Sequence, residues 1–457
     1  MIFSLFVGAA LAKKPPPPLP EPVYQDVVAS LLGDALTQDV AWKDLVFLST
    51  QIGARFAGSP ALDRASTWAQ AQMQSYGLAN VHAEPVTLRS WSRGTLEIAA
   101  TAPFARPLHG LSLGASVGTP AGGLEGDVVV VDSWDAFTAL PDDRVKGRIV
   151  VWNVPFTTYG ETVGYRFAGA SVASRRGAVA SLVRSVSPTS LDTPHTGVQR
   201  YDADVTPIPA IAITGEDATW LAMLQLQGVT PHLRVASTAA PVADVPANNV
   251  MGEVRGRELP EEVVVLGCHL DSWDVGQGAQ DDGAGCVQAL TAVWLISKQP
   301  VAPRRTVRVV FYVGEEYGIG GALGYAETHK AEKHFAAIEA DTGAGHPFGF
   351  KVDVRKPGST DEEPDAELVA AAITRVSAVQ GPLKVLDMGQ FEQGYGGTDI
   401  GPLIEQGALG FGVWHDTTGY WPIHHTWADT IDKVDPNDLD AGVAAMALLG
   451  WTLADLP

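Results

Sequence analysis

The residues best suited to chemistry in this chain lie in five stretches: Cys268-His269-Leu270-Asp271, Asp281-Asp282-Gly283, Glu315-Glu316, Asp341, and His424-His425-Thr426-Trp427-Ala428-Asp429. Together they offer two imidazoles, a carboxylate able to bridge, two terminal carboxylates and a spare glutamate. A pair of metal cations needs such a set if it is to polarise a carbonyl and deprotonate a water. No single acid pair establishes this. Asp281-Asp282 at a helix start is favourable with the macrodipole alone, and Glu315-Glu316 alone reads equally well as a solvated loop.

The elements that must position these groups make the stronger case. Glu261–Gly267, Thr306–Val313, Phe335–Glu339 and Leu409–Trp414 read as buried strands, and Gly283–Ser297, Asp365–Gln380 and Leu439–Leu453 as helices. His269 and Asp271, Glu315-Glu316, Asp341 and His425 each follow one of the four strands. Sites in open α/β sheets gather at the carboxyl edge of the strands, which brings such residues together. Gly276 and Gly278 supply a turn that folds Asp281 back towards His269. Two adjacent glutamates point in different directions, so one can bind metal while the other moves a proton. One of His424 and His425 is expected to be a ligand and the other its neighbour. Asp271 lies two residues after His269 and Asp429 four after His425, and each is placed to take the second ring proton of its histidine.

Upstream, Gln25–Gln51 and Ala61–Tyr76 read as helices and Val81–Trp91 as a strand. From about Ala105 the texture changes to Gly/Pro punctuation between short β-branched runs at Asp127–Asp132, Arg148–Trp152, Ala178–Val183 and Ile208–Ile213, with a helix over Arg166–Arg176. These form a separate β-rich module. The reading is an α/β protein with a mixed sheet sandwiched by helices, built from residues 23–104 and 241–457 and interrupted by an inserted module over 105–240.

At 457 residues the chain exceeds one compact core. Its net charge of −21 argues against nucleic acid or an anionic membrane as partner, and no later apolar run is long enough to span a bilayer. Residues 1–12 end in Ala10-Leu11-Ala12 and fit a signal peptide without a basic start, followed by a Pro-rich linker over 13–22. An extracytoplasmic location, secreted or periplasmic, is therefore expected. Cys268 and Cys286 are the only cysteines; their spacing fits no common zinc motif, and they are expected to be small buried hydrophobes.

With these residues in view, the chain resembles the co-catalytic zinc aminopeptidases and carboxypeptidases of the aminopeptidase-Y class. The resemblance is carried by HLDSWDVGQGAQDDGAG at His269–Gly285, EEYGIGGALGY at Glu315–Tyr325, EADTG at Glu339–Gly343, GYGGTDI at Gly394–Ile400 and HHTWADT at His424–Thr430. It extends to RFAGSPALDRA at Arg55–Ala65 and to the segments within Val179–Gln199. It implies two zinc ions per chain: His269, Asp281 and Asp341 on one, Glu316 and His425 on the other, with Asp281 bridging and Glu315 as general base and acid. It further implies that the inserted module is a protease-associated domain, that the substrates are dipeptides or short peptides with free ends, and that the chain forms a homodimer. His424, Thr398 and Asp399 are expected to meet substrate. Cys268, Ala284, Cys286, Glu392 and Tyr395 depart from the family pattern, which bears on specificity rather than on catalysis. Two rival readings keep the fold but change the function. One is a single-zinc glutaminyl cyclase-like acyltransferase; the other is a receptor-type binding protein without catalysis.

Overall fold

The computed structural model describes residues 21–189, 191–357 and 363–457. The expected signal peptide and nearly all of the Pro-rich linker lie outside them. The chain forms two eight-stranded sheets. The first runs, in spatial order, Ala79–Ser92, Ala240–Val254, Arg305–Tyr312, Leu259–His269, Lys333–Glu339, Leu409–His415, Pro347–Asp353 and Gln390–Gln393. Its central four strands, Arg305–Tyr312 through Leu409–His415, are mutually parallel. Antiparallel pairings flank them. The sheet is mixed, as the sequence suggests.

Alternation along the central strand shows why it is buried on both faces. Val264, Leu266 and Cys268 point into one core and Val263 and Val265 into another, the period-two pattern of a strand covered on both sides. The thicker cover includes Ala284–Ser297 packed along Pro436–Asp455. Small residues such as Ala289, Ala292, Ala444 and Ala445 let these two helices approach closely while Leu290, Leu448 and Leu449 fill the space between layers. Each such leucine contributes about 1.5–3 kcal/mol by leaving water. Gly320–Thr328 and Gly401–Glu405 cover the opposite face.

The second sheet is built entirely from residues between Leu96 and Ser237, in the order Arg106–Pro107, Leu96–Ala102, His232–Ser237, Leu124–Val131, Ile149–Trp152, Ala180–Arg184, Ala210–Ile213 and Gly110–Ser112. The chain leaves the first sheet after Ser92 and returns at Ala240, and these two residues are register partners. The insertion thus begins and ends at neighbouring strand ends. It starts earlier than the sequence suggests, because Leu96–Ala102 already pairs with His232–Ser237. Helices stand between its strands, the expected one over Arg166–Arg176 lying within Tyr159–Arg175 apart from its last residue. Four of its strands are parallel, which requires crossovers, and the helices Trp134–Ala139 and Tyr159–Arg175 lie in two of them.

Two further expectations change. The helix expected over Gln25–Gln51 is broken into Glu21–Ala35 and Val40–Phe47, with a π-turn at Leu48–Ile52. At the break the Thr37 hydroxyl donates to the Gly33 carbonyl and takes that acceptor from the helix ladder. Cys268 and Cys286 are not merely buried hydrophobes: they form a disulfide. The strand end and the first turn of the next helix bring their Cα atoms to 5.0 Å, within disulfide reach.

Candidate active site

His269 is the last residue of its strand, and the Glu315-Glu316 pair follows Arg305–Tyr312 directly. Asp341 lies two residues beyond Lys333–Glu339, and His425 lies in the loop after Leu409–His415. All therefore reach the same carboxyl edge of the parallel strands. Asp281 returns to this edge on a turn that needs glycine. Gly276 and Gly278 have φ of +69° and +59°, and a Cβ on Gly278 would lie 2.5 Å from the Cβ of Ser272.

The side chains converge closely. His269 Nε2 is 3.1 Å from Asp341 Oδ1 and 3.3 Å from Asp281 Oδ1. His425 Nε2 is 3.2 Å from Asp281 Oδ2 and 3.1 Å from Glu316 Oε2. Asp281 thus turns one oxygen to each imidazole. Its Oδ2 is buried and accepts no hydrogen bond among the described residues. His424 Nε2 is 3.6 Å from the same oxygen, and its ring stacks on that of His425 at 3.6 Å.

Electrostatics follow from this crowding. Burial works against charging His269, but the carboxylates of Asp341 and Asp281 outweigh it and raise its pKa well above the usual value. Burial likewise opposes His425, and Glu316 and Asp281 outweigh it. Burial pushes Glu316 up to about 7, with the charge of Asp281 adding to the effect. Burial also raises Glu315 well above the carboxylate range; His269 opposes the shift and Asp341 and Glu316 reinforce it. His424 goes the other way, depressed by burial and by its charged neighbour His425.

The supporting acids behave differently from each other. His269 Nδ1 meets the backbone oxygen of Asp271 at 3.1 Å, with the carboxylate farther away at 3.9 Å. That carboxylate accepts the N–H groups of Gly314, Glu315 and Glu316 and so fixes the glutamate turn. Asp429 does not support His425. Its carboxylate accepts the N–H groups of Ala279, Gln280 and Asp281, because the tight turn at Gly276–Gly278 aims those donors at it. His425 Nδ1 instead faces the carbonyl oxygen of Thr196 at 3.3 Å, and the Thr196 N–H donates to the His425 carbonyl at 3.0 Å. Thr196 belongs to the insertion.

Asp282, beside Asp281, ties the strand to the helix: its carboxylate accepts the N–H groups of His269 and Gly285. Arg55 is wholly buried and donates to the carbonyls of Gly53, Leu270, Gln277 and Gly278, holding both ends of the loop. It belongs to a segment that carries the family resemblance, but its side-chain role leaves no local sequence signal.

Asp281, Glu315, Glu316, Asp341, His424 and His425 open into one cavity of about 820 Å³. Thr398 lines it too, beside Tyr395, whose hydroxyl donates to Thr398 Oγ1 at 3.0 Å. Asp399 does not. The N–H groups of Thr398, Asp399 and Ile400 all donate to the carboxylate of Glu339, and this wraps the turn so that the Asp399 side chain is buried away from the cavity lining. The opposite wall comes from the insertion, with Phe156, Tyr159, Arg166 and Val198. Sequence reasoning missed this wall, since nothing local in those residues says what they face.

Donor chemistry fits metal ions. Three triads here have ligand atoms close enough to share a cation: His269 with Asp281 and Glu316, His269 with Asp282 and Asp341, and Asp281 with His424 and His425. Two buried carboxylates, Asp281 and Glu316, and two half-buried ones, Glu315 and Asp341, would be costly to hold together without positive charge. The orphaned Asp281 Oδ2 is an acceptor awaiting a partner.

A family model described as peptidase family M28 matches residues 249–449. Carboxypeptidase Q from Bos taurus is 35% identical over 440 residues, covering 95% of this chain and 90% of the relative; the Homo sapiens protein is 33% identical over 436 residues, covering 94% and 89%. The chain belongs to peptidase family M28. It is thus an enzyme, a zinc metallopeptidase. Among M28 structures, the crystal structure of a peptidase M28 precursor from Shewanella amazonensis SB2B superposes with a TM-score of 0.88 at 31% identity, covering 95% of this chain and 99% of that one. A zinc aminopeptidase from Bacillus subtilis shares the fold at a TM-score of 0.65 and 18% identity, covering 91% of this chain and 97% of that one. Among the described residues no helix is long and apolar enough to cross a membrane.

Proposed function

We propose that this enzyme is a two-zinc exopeptidase that hydrolyses dipeptides or short peptides with free ends; that its relatives are named carboxypeptidase Q supports the exopeptidase part of this reading. The observation that carries the reading is Asp281, with one oxygen towards His269 and the other towards His425. His269, Asp341 and Asp281 would hold one ion, and Glu316, His425 and Asp281 the other. Zinc ions bound there supply Lewis acidity towards a scissile carbonyl and lower the pKa of a water.

The chain's own residues do the rest. Glu316 is tied in place by the Trp273 N–H on Oε1 and by His425 facing Oε2. The Glu315 carboxylate makes no hydrogen bond among the described residues and lines the cavity. Glu315 is therefore the group free to take a proton from the attacking water and return it to the leaving amine. Burial first, and then the nearby carboxylates of Asp341 and Glu316, hold its proton affinity high. Asp271 keeps the two glutamates apart in role by fixing their backbone.

A cavity of about 820 Å³, walled on one side by the insertion, supports short substrates. In this reading the insertion is a protease-associated domain acting as a cap, and the chain dimerises as its family resemblance implies. The disulfide supports an extracytoplasmic location, since such bonds persist in oxidising compartments. Two measurements test the proposal together: zinc per chain by elemental analysis, and turnover of a dipeptide panel with free and blocked ends. Two zinc ions and cleavage of free dipeptides are expected. One zinc with cyclisation of glutaminyl peptides would replace the reading with an acyltransferase.

A further inference from the structure

Aromatic rings line the cavity that holds the metal-binding acids. Phe156, Tyr159 and Phe167 come from the insertion, and Tyr420 and Trp421 from the loop that carries His425. Tyr159 opens the helix Tyr159–Arg175, and its ring stacks on that of Trp421, with centroids 4.7 Å apart and planes 17° from parallel. It also meets His424 edge-on at 5.2 Å, and His424 stacks in turn on His425. One ring thus separates Tyr159 from a candidate metal ligand. The stack is held from the insertion at both residues. Arg166 Nη2 donates to the Tyr159 hydroxyl at 3.0 Å, and the Ser187 hydroxyl donates to the Trp421 carbonyl at 3.2 Å.

Docking of the insertion accounts for the Tyr159–Trp421 stack but not for Phe156 and Phe167. Both are half-buried, and neither packs into any hydrophobic core among the described residues. Apolar rings held at a cavity surface keep area in water that an apolar ligand group would cover favourably. An acidic group would gain nothing comparable. Among the described lining residues Arg166 is the only lysine or arginine, and its Nη1 and Nη2 already donate to the Thr196 carbonyl and the Tyr159 hydroxyl. A carboxylate against this wall would lose water without gaining a partner.

We infer that the aromatic wall binds an apolar side chain of the substrate, so that the enzyme cuts beside a leucine-like or aromatic residue and discriminates against an acidic one. This rests on the exopeptidase reading above and adds a side-chain preference to it. Tyr159 and Trp421 set that preference together, one supplied by each sheet's part of the chain, and Phe156 and Phe167 extend it.

The test uses the zinc-loaded enzyme on two dipeptide series, X-Ala and Ala-X, with X as Ala, Leu, Phe or Asp. In one series Leu and Phe are expected to exceed Ala by about tenfold to two-hundredfold in kcat/KM, the scale of added methylenes in an apolar pocket, and Asp to fall below Ala. In Tyr159→Ala that preference shrinks towards one, chiefly through KM, while Tyr159→Phe, which keeps the ring, retains it. Equal losses on every X in Tyr159→Ala would reduce the ring to a brace between the two parts and overturn the inference. If Tyr159→Ala does not fold, Phe156→Ala decides, since that ring belongs to no core: a reduced preference upholds the inference and an unchanged one overturns it. Calorimetric binding of non-cleavable reduced-amide dipeptides separates this inference from the reading beneath it. Tighter binding of the Leu and Phe analogues without any cleavage would sink the exopeptidase reading and leave the apolar site standing. Equal binding of the Ala, Leu and Phe analogues would overturn the site itself.

Discussion

His269 and His425 stand on either side of Asp281, yet the chain holds them by unlike means. His269 ends a central strand and is fixed by near neighbours: its N–H donates to Asp282 and its Nδ1 meets the Asp271 carbonyl. His425 lies on a long loop in the left-handed backbone region, with φ of +60°. Its ring and its carbonyl are both met by Thr196, which belongs to the other sheet. One half of the site is a property of the parallel strands. The other half exists only where the insertion closes on them.

Breaking the machinery common to both halves gives the largest effect. Glu315→Gln is expected to lower kcat by about 10²–10⁴-fold while elemental analysis still finds the wild-type zinc content. A mutant that turns over normally would remove Glu315 from the proton transfer. Next comes the comparison itself. His425→Ala is expected to leave about one zinc per chain, because the strand-borne half keeps His269, Asp341 and Asp281. Retention of two zinc ions would mean that the loop-borne half does not depend on this histidine.

The two supporting acids sharpen the contrast. Asp429→Asn slackens the turn carrying Asp281, which serves both halves, whereas Asp271→Asn slackens the turn carrying Glu315 and Glu316. Each is expected to weaken zinc binding by about 10–100-fold. Competition with a chelator should show both equivalents weakened in Asp429→Asn and mainly one in Asp271→Asn. The smallest effect on chemistry comes from opening the disulfide. Cys268→Ser with Cys286→Ser is expected to cost about 3 kcal/mol of stability, seen as a lower Tm, with kcat little changed at low temperature. An unchanged Tm would make the bond incidental to the strand–helix junction.

The strand-borne half was legible in the sequence because its geometry is local. Buried β-branched runs followed at once by His269, Glu315-Glu316 and Asp341 give both the element and the edge at which the residue emerges. The turn glycines before Asp281 were legible for the same reason. What lay hidden depends on contacts across long separations. Asp429 looked like a partner for His425 because it lies four residues away, but the loop curls so that its carboxylate faces the amides of Ala279–Asp281. Arg166 and Tyr159 carry no motif that says what they face, and Thr196, although inside a segment that carries the family resemblance, gives no sign that it meets His425, 229 residues later in the chain. The disulfide escaped because two cysteines at a strand end and a helix start read as packing until their separation in space is known.

The most direct measurement is anomalous diffraction at the zinc edge from crystals of the zinc-loaded enzyme. Two peaks are expected, one beside His269 and Asp341 and one beside Glu316 and His425, about 3.5–4 Å apart with Asp281 between them. A single peak, or two that do not share Asp281, would contradict the account.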